Sequence, residues 1–308
     1  MLDPYDTGRF SLFGEHEVAD FAPNFTAASL AREPAFDAAI LGNSTSELLD
    51  PARLTALTGL RFVSLSIYGT GPVEQLAVAR WLVRHHQHPG EALKALVIGL
   101  DTKWCRGDGR LEQLNPFPFW LYSDSWLTYV THLVNLKAFE AAEQRVELLL
   151  GLTPPVRADG HRKGYEAGRV WDASIPAADF VAGTGGFDPL GSNFAAADQL
   201  SDLFREVAPE TEVVLLFVPR HHSSLLPPGS EAARDEDACK ARYGSLAARR
   251  PRTVVVDLLQ DGPIAREDRN FWDRVHYRAP IARLIEADIA DALRGLASQE
   301  PRQAGSVR

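Results

Sequence analysis

The chain has 308 residues, 45% of them hydrophobic and 24% charged, which gives a globular protein ample material for a core. Its formal net charge of -9 argues against a nucleic-acid-binding surface, because such surfaces are normally basic. The sequence contains no run of about 18 consecutive apolar residues, so no membrane span is expected. Residues 1–10 lack the basic and apolar regions of a signal peptide.

The first part of the chain alternates between strand-like and helix-like patterns. A first strand is predicted over 36–41, which contains the apolar run 38–41, and residues 46–57 predict a short helix. Residues 61–67 are rich in β-branched and aromatic residues and predict a second strand. Pro72 then starts a helix, and the apolar residues 95–100 predict a third strand in the middle of a sheet.

The regular pattern is interrupted over residues 105–192, which we interpret as an insertion after the third strand. A helix is predicted over about 125–150, and residues 151–192 carry many Gly, Pro, Asp and Arg without periodicity. Long segments of this kind are usually either functional or disordered. Four aromatic residues of the region suit either a sugar-stacking wall or the core beneath the insertion: Trp104, Trp120, Tyr122 and Trp126.

After the insertion the alternation resumes. Helices are predicted over 194–207, 230–249 and 279–296, and strands over 212–218 and 253–258. Five short apolar strands separated by helices predict a parallel sheet with helices on both faces, a flavodoxin-like three-layer α/β/α fold. We expect a single domain over 1–298 and a frayed tail over 299–308.

The first strand stops at Gly42-Asn43-Ser44, where a glycine allows a sharp turn and a serine follows at the expected start of a helix. A serine in that position can act as a nucleophile whose oxyanion is held by the free N–H groups of the helix start. Serine is equally favoured as a helix cap, so this motif alone leaves both interpretations open.

A second motif, Asp273-Arg274-Val275-His276, precedes the last helix. At this spacing in a loop, the carboxylate can fold back onto the imidazole, fix its tautomer and leave the other nitrogen to accept a serine proton. Taken alone, the pair is as readily a solvated loop pair. Because the carboxyl ends of parallel strands share one rim, Ser44 is expected to meet this loop and complete a nucleophile, base and orienting acid.

Together these residues resemble the SGNH (GDSL-like) hydrolase superfamily. The resemblance lies in Gly42-Asn43-Ser44 after the first strand, Gly69 after the second, Gly99-Leu100-Asp101 after the third, and Asp273 with His276 before the last helix. It implies a serine esterase or O-acyltransferase with Ser44 as nucleophile, His276 as general base and Asp273 as its orienting acid. It also implies that the backbone N–H groups of Ser44 and Gly69 form part of an oxyanion hole.

Two residues depart from the family pattern. Asn43 stands where the family has an aspartate, and Asp101 stands where it has an asparagine that donates to the oxyanion. An ionised carboxylate cannot donate and repels developing negative charge. Either Asp101 is protonated, or it points elsewhere, or Thr102 or another group takes over. The departure also leaves an alternative function, a catalytically weak or inactive glycan-binding or scaffold protein.

The third block, Asp101-Thr102-Lys103-Trp104, resembles bacterial exopolysaccharide acyl-handling proteins, including alginate-type acetyltransferases. That likeness implies acyl esters of a carbohydrate, above all acetyl esters, as substrate, and a membrane-associated polysaccharide-processing complex as partner. It implies a periplasmic or otherwise exported location, with the cytoplasm as the alternative. It also favours a disulfide between Cys105 and Cys239, whose default interpretation from the sequence alone is two free thiols.

Several histidines are further candidates. His221 and His222 follow the fourth predicted strand on the expected rim, where they either contact substrate or lie in an ordinary exposed loop. His85, His86 and His88 suggest a metal site, although a solvated helix end is the preferred interpretation.

Neither a metal nor a cofactor is expected. The glycines of 183–186 lack the lysine-bearing helix of a phosphate loop, which argues against nucleotide binding. A metal-dependent hydrolase is kept as a third alternative to the serine enzyme and the glycan-binding protein. The charged run 159–163 either steers an anionic glycan or is an ordinary charged loop.

Overall fold

The computed structural model describes residues 3–9, 22–87, 92–105, 116–152, 159–162, 166–171 and 194–298. Its strands are β1 (Ala38–Leu41), β2 (Phe62–Ser64), β3 (Ala95–Leu100), β4 (Glu212–Phe217) and β5 (Thr253–Asp257). They form one parallel sheet in the order β2-β1-β3-β4-β5, with helices on both faces. The flavodoxin-like three-layer α/β/α fold is therefore confirmed.

Helices connect the strands and cover the sheet. In the described ranges they are α1 (Pro23–Leu30), α2 (Pro51–Thr58), α3 (Pro72–His85), α4 (Trp126–Thr131), α5 (Leu136–Leu149), α6 (Ala195–Leu203), α7 (Glu231–Arg249) and α8 (Ala279–Ala297). Proline in the first turn starts α1, α2, α3 and α8, where its missing N–H costs no hydrogen bond. None of these helices is long and apolar enough to cross a membrane.

Side chains of the central strands alternate between two cores. Along β3, Leu96 and Ile98 face one core, whereas Ala95 and Val97 face the other. Helices α1, α3, α6 and α7 cover the first face, and α2 and α8 cover the second. Because both faces are covered, β1 and β3 are apolar throughout and β4 is apolar after Glu212, and polar side chains collect at their carboxyl ends.

The helix predicted over 194–207 ends already at Leu203, and the strand predicted over 61–67 is only Phe62–Ser64. Two other predicted helices differ in where they begin or in their number. The helix predicted over 46–57 begins only at Pro51, because Asp50 caps it by accepting the Ala52 N–H at 3.0 Å and residues 44–48 form turns. The helix predicted over about 125–150 is two helices, because Asn135 accepts the Ala138 N–H at 2.9 Å and starts α5 anew. No sequence pattern predicted α1.

The aromatic residues of the insertion belong mostly to the core. Trp104 and Tyr122 are 1% and 4% exposed, and the partly buried Trp120 packs against the same cluster. Trp126, by contrast, is 55% exposed. The sugar-wall interpretation is therefore wrong for the first three residues, which support the insertion from beneath.

Cys105 and Cys239 form a disulfide, so the default interpretation of two free thiols is wrong. The bond joins the short 3-10 helix Thr102–Cys105, which directly follows β3, to the middle of α7. One turn further along α7, the Tyr243 hydroxyl donates to Trp104 O at 2.9 Å. Both contacts fix the segment that starts at Asp101.

The histidines at the end of α3 pack inward. His85 Nδ1 lies 2.9 Å from Trp81 O, and His86 is only 4% exposed, so the solvated-end interpretation is wrong for His86. Neither belongs to a group of potential metal ligands within the described residues. His88 lies outside them, as do the glycines of 183–186 and the predicted tail 299–308.

Candidate active site

Three side chains from distant parts of the sequence form one hydrogen-bonded row. His276 Nδ1 lies 2.7 Å from Asp273 Oδ2, and His276 Nε2 lies 2.9 Å from Ser44 Oγ. When Nδ1–H donates to the carboxylate, Nε2 is the acceptor for the Ser44 hydroxyl. The structure thus brings the three predicted catalytic residues together in the order that proton transfer requires, and their catalytic role stays a prediction.

Asp273 is held as the hydrogen-bond acceptor of its own loop. Its Oδ1 accepts the Val275 N–H at 2.8 Å and the His276 N–H at 2.7 Å. Burial on its own would raise the pKa of Asp273, but the hydrogen bonds and charge of His276 and the two backbone donors bring that pKa below its usual value. The group therefore stays an ionised carboxylate that can fix the imidazole tautomer.

The imidazole of His276 is also fixed by packing. The Trp272 ring stacks on it with 5.3 Å between ring centroids and 7° between planes. The Trp272 backbone N–H donates to His276 O at 3.2 Å, and Phe271 and Tyr277 form an antiparallel bridge around these two residues. The loop closes on itself, so the His276 imidazole is held in this orientation by the protein alone.

The Ser44 turn is held by Asn43. Asn43 Oδ1 accepts the Thr45 N–H at 3.1 Å and the Thr45 hydroxyl at 2.9 Å, while Asn43 O accepts the Ser46 N–H at 2.9 Å. Ser44 therefore lies in a turn of its own, several residues before α2. The expectation that it sits at the start of a helix is wrong, and the helix-cap alternative for Ser44 falls with it, because Asp50 is the cap.

Two glycines allow this turn to approach β3. A Cβ atom added at Gly42 or at Gly99 would lie 2.3 Å from Ser46 Oγ, so the buried Ser46 side chain occupies the space that both glycines leave open. Glycine is required at these positions for close packing. The consequence is that the Ser44 turn rests directly against the end of β3, beside Asp101.

Asp101 accepts hydrogen bonds from its neighbours through both carboxyl oxygens. Asn43 Nδ2 donates to Asp101 Oδ2, and the Lys103 N–H donates to Asp101 Oδ1 at 2.9 Å. The charge of the buried Arg220 also interacts with Asp101. Both carboxyl oxygens therefore accept hydrogen bonds from the protein, one of them from the Ser44 turn, and the role of Asp101 stays a prediction. Thr102, the proposed replacement, has its hydroxyl 3.2 Å from Arg220 Nη2 and accepts a hydrogen bond from it.

Relative to the family pattern, the amide and the carboxylate have changed places between the first and third blocks. Exchanging them back is expected to preserve the contact, since Asn43→Asp with Asp101→Asn again pairs one amide with one carboxylate. The single variant Asp101→Asn leaves two amides and loses a charge-assisted hydrogen bond, which costs about 1–3 kcal/mol of unfolding free energy. Urea denaturation of the four proteins measures this coupling, and simple additivity of the two single changes would contradict it.

Gly69 lies in a tight turn that contacts Asn43, the residue before Ser44. Its φ of 72° is a left-handed conformation that favours glycine. The Thr70 N–H donates to Ile67 O at 3.4 Å, and Thr70 O accepts from Asn43 Nδ2 at 3.4 Å and from Lys103 Nζ at 3.3 Å. The turn is thereby tied to the Ser44 turn, and Lys103 brings a positive charge to it.

Glu47 is a buried carboxyl on the Ser44 turn. It is 3% exposed, and its Oε1 accepts the Tyr68 N–H at 3.1 Å, which fixes the residue before Gly69. Burial raises the pKa of Glu47 to about 7, against the opposing effects of Arg162, the Tyr68 N–H and Arg169. The folded protein therefore holds this proton more tightly than the unfolded chain does.

This raised pKa predicts a pH-dependent stability. The contribution of Glu47 is fully present below pH 4.5 and is lost as the pH rises to about 7. Glu47→Gln keeps an acceptor for the Tyr68 N–H and is expected to remove that loss, which amounts to at most about 3 kcal/mol. Urea denaturation at both ends of this range, on parent and variant, measures it; identical pH profiles would contradict the burial effect.

A cavity of about 530 Å³ opens beside the candidate oxyanion turn. Tyr68, Gly69 and Thr70 line its near side. The remaining wall combines aromatic rings with polar side chains, including Phe25, Phe117, Asn24, Gln144 and the ion pair of Lys137 with Glu140 at 2.9 Å. The lining thus combines aromatic rings and neutral polar groups with three charged side chains, Glu74, Lys137 and Glu140.

Part of the insertion lies against the same rim. The guanidinium carbon of Arg162 is 5.9 Å from the centroid of the Tyr68 ring, and that of Arg169 is 5.3 Å from the centroid of the Trp272 ring. Arg162 belongs to the charged run 159–163, of which Lys163 lies outside the described residues. Positive charge from the insertion is therefore placed on two aromatic residues that adjoin Gly69 and His276.

His221 and His222 lie next to the loop that carries Asp273 and His276, and their polar groups bind other residues. The His221 N–H donates to Arg274 O at 3.2 Å, and its ring nitrogens lie 2.7 Å from Ser223 Oγ and 2.9 Å from Asp268 Oδ1. His221 is 2% exposed, whereas His222 is exposed. The exposed-loop alternative is thus wrong for His221, and contact of either residue with substrate stays a prediction.

Some residues of the site escaped the sequence analysis. The amide of Asn43 as the partner of Asp101, the buried carboxyl of Glu47 and the ring of Trp272 over His276 were not predicted. One signal was present: compared with the SGNH pattern that the sequence resembles, an amide and a carboxylate are exchanged between positions 43 and 101, as is expected of two residues in contact.

Comparisons with known proteins give structural neighbours but no sequence match. No protein-family model matches the sequence, and a search of curated proteins finds no match. Among solved structures, a candidate platelet activating factor from Streptococcus pneumonia has a TM-score of 0.46 and 11% identity, covering 87% of this chain and 90% of that one.

Two further neighbours are more distant. A carbohydrate esterase family 2 enzyme with a carbohydrate binding domain, from Corynascus thermopiles (Myceliophthora fergusii), has a TM-score of 0.41 and 12% identity, covering 84% of this chain and 66% of that one. A gut microbial diltiazem-metabolizing enzyme has a TM-score of 0.38 and 11% identity, covering 84% and 47%. Likenesses of this size carry no argument about activity.

Proposed function

We propose that the protein is an SGNH-type serine esterase or O-acyltransferase that acts on acyl esters, above all acetyl esters, of a carbohydrate. One observation carries the proposal: His276 lies within hydrogen-bond distance of Ser44 Oγ through Nε2 and of Asp273 through Nδ1. A hydroxyl, an imidazole and a carboxylate in this order are the arrangement that activates a serine.

The reaction proceeds through an acyl-enzyme on Ser44. Ser44 Oγ attacks the ester carbonyl while His276 Nε2 takes the hydroxyl proton, and Asp273 stabilises the resulting imidazolium. Collapse of the tetrahedral intermediate breaks the ester bond, and His276 returns the proton to the departing alcohol. Water or a sugar hydroxyl then attacks the acyl group, with His276 as base, and releases Ser44.

The oxyanion is held by backbone donors and by positive charge. The N–H groups of Ser44 and Gly69 are the proposed donors, and the Lys103 ammonium, bound to Thr70 O next to Gly69, adds an electrostatic contribution. These backbone donors and the Lys103 charge replace the asparagine amide that the SGNH pattern has at the position of Asp101.

The carbohydrate is proposed to enter the cavity beside Gly69, where aromatic rings and polar side chains, some of them charged, adjoin the proposed oxyanion turn. The positive charges of Arg162 and Arg169 favour a glycan that carries anionic groups. The disulfide of Cys105 with Cys239 supports an exported location, in keeping with a partner complex that processes polysaccharide.

Labelling with a serine-reactive organophosphate tests the proposal. We expect one adduct per chain, located at Ser44 by peptide mass spectrometry, with loss of activity on short acetyl esters. Ser44→Ala should take up no label, and Ser46→Ala, a change at a buried serine on the same turn, controls for folding and for nonspecific reaction. An unlabelled Ser44 together with ester hydrolysis at the background rate would refute the esterase.

A second candidate function is a glycan-binding protein without turnover. It is favoured by Asp101, whose carboxyl oxygens are both engaged where the family pattern has an oxyanion donor. In that case Ser44→Ala binds an acidic polysaccharide as tightly as the parent does, and the parent hydrolyses none of its acyl esters. Turnover by the parent excludes this candidate.

A further inference from the structure

Beside the catalytic loop lies a second group of polar side chains. His221 and His222 follow β4, and Asp268 starts the short 3-10 helix Asp268–Asn270. One potential ligand atom from each residue lies within 4.8 Å of the other two. The proposed reaction uses none of these three residues as a metal ligand. Two imidazoles and one carboxylate are a common ligand set for transition metals.

His221 is already placed as a ligand would be. It is 2% exposed, and its backbone N–H donates to Arg274 O at 3.2 Å. The centroid of its ring lies 4.1 Å from that of the Trp171 ring. Its Nε2 is 2.9 Å from Asp268 Oδ1, on the side where the ion would enter, and its Nδ1 is 2.7 Å from Ser223 Oγ. Without a metal, Nδ1 also accepts the Ser223 backbone N–H at 3.3 Å, so the ring proton lies on Nε2 and points to Asp268. A metal on Nε2 displaces this proton, and the Nδ1–H tautomer then donates to the Ser223 hydroxyl, the outer contact that orients ligating histidines.

The other two ligands have room to complete the site. His222 and Asp268 are both exposed, and the His221 and His222 rings are 4.4 Å apart. Donor atoms around a tetrahedral zinc ion are about 3.4 Å apart, given bonds of about 2.1 Å. The three ligand atoms already lie within 4.8 Å of one another, and rotation of the exposed His222 and Asp268 side chains brings them to this spacing. Three protein ligands then leave one position for water.

We propose that His221, His222 and Asp268 bind one divalent transition-metal ion, with zinc as the ion that fits this ligand set. Imidazole nitrogens favour zinc over magnesium and calcium, which prefer oxygen ligands throughout. The ion ties the loop after β4 to the loop before α8. Because the His221 N–H and the Ser224 hydroxyl both donate to Arg274 O, between Asp273 and His276, it acts as a clamp on the catalytic loop.

Metal binding by the full chain tests this proposal without any substrate. The protein is stripped with a chelator, dialysed and titrated with zinc chloride by calorimetry, and with cobalt chloride by visible absorption. We expect one zinc ion per chain, cobalt absorption typical of tetrahedral nitrogen and oxygen ligands, and a melting temperature raised by a few degrees with zinc in excess.

Variants of the two exposed ligands test whether these residues bind the metal. His222→Ala and Asp268→Asn are each expected to weaken zinc binding by about tenfold or more and to abolish the melting shift. His132→Ala, at another exposed histidine, serves as the matched control and leaves both unchanged. Absence of stoichiometric zinc in the parent, or equal affinity in parent and both variants, overturns the proposal. Organophosphate labelling of Ser44 is measured separately, so the failure of one proposal does not imply failure of the other.

Discussion

Replacing His276 with alanine is expected to lower the rate of acetyl-ester hydrolysis by about four orders of magnitude. The reason is that His276 Nε2 is the acceptor for the Ser44 proton, at 2.9 Å, and the described site places no second imidazole on that hydroxyl. Binding of the ester is expected to change little, so the loss should appear in kcat. Steady-state kinetics on short acetyl esters measures it.

The companion variant Asp273→Asn separates orientation from proton transfer. It keeps the size of the side chain but loses the carboxylate that receives Nδ1–H, so it is expected to lower kcat by about three orders of magnitude or more. His132→Ala controls for the loss of a histidine elsewhere. A His276→Ala enzyme with more than a tenth of the parental kcat would show that another group acts as the base.

Removing the disulfide is expected to give the largest loss of stability. Cys105→Ala combined with Cys239→Ala opens a crosslink with a sequence separation of 134. The entropy that the unfolded chain regains corresponds to roughly 3–5 kcal/mol of unfolding free energy. Urea denaturation of parent and double variant measures this difference, and the parent in strong reductant should behave like the double variant.

Both sulfur atoms are buried, since Cys105 and Cys239 are 2% and 0% exposed. Reductant is therefore expected to act slowly on the folded protein and quickly once it is unfolded. Identical denaturation midpoints with and without reductant, after equilibration in denaturant, would contradict the predicted contribution of the crosslink.

The sequence was informative where a contact is local or a pattern is periodic. The Asp273 and His276 pair is three residues apart, so the geometry of one loop determines the contact. The apolar runs of β1, β3 and β4 follow from burial on both faces, and these strands were predicted to within two residues at either end.

The remaining features depend on packing between distant segments. Asn43 and Asp101 are 58 positions apart and meet only because β1 and β3 are neighbours. The burial of Glu47 depends on the turn around Ser44, which the sequence pattern presented as part of a helix. Local patterns contain no information on such contacts, because a helical period says which residues share a face and not what covers that face.

The insertion also determines how the sheet ends. β2 is an edge strand, and because the Leu65 N–H donates to Ile40 O within the sheet, the N–H of Ser64 points to the open side. Asp159 O accepts that N–H at 2.8 Å. Gly160, with a φ of 73°, has its Cα against Ser64 O, where an added Cβ would lie 2.3 Å away. At Ser64 this edge is thus closed to pairing with a strand of another molecule, so the insertion protects the β2 edge of the sheet against edge-to-edge association.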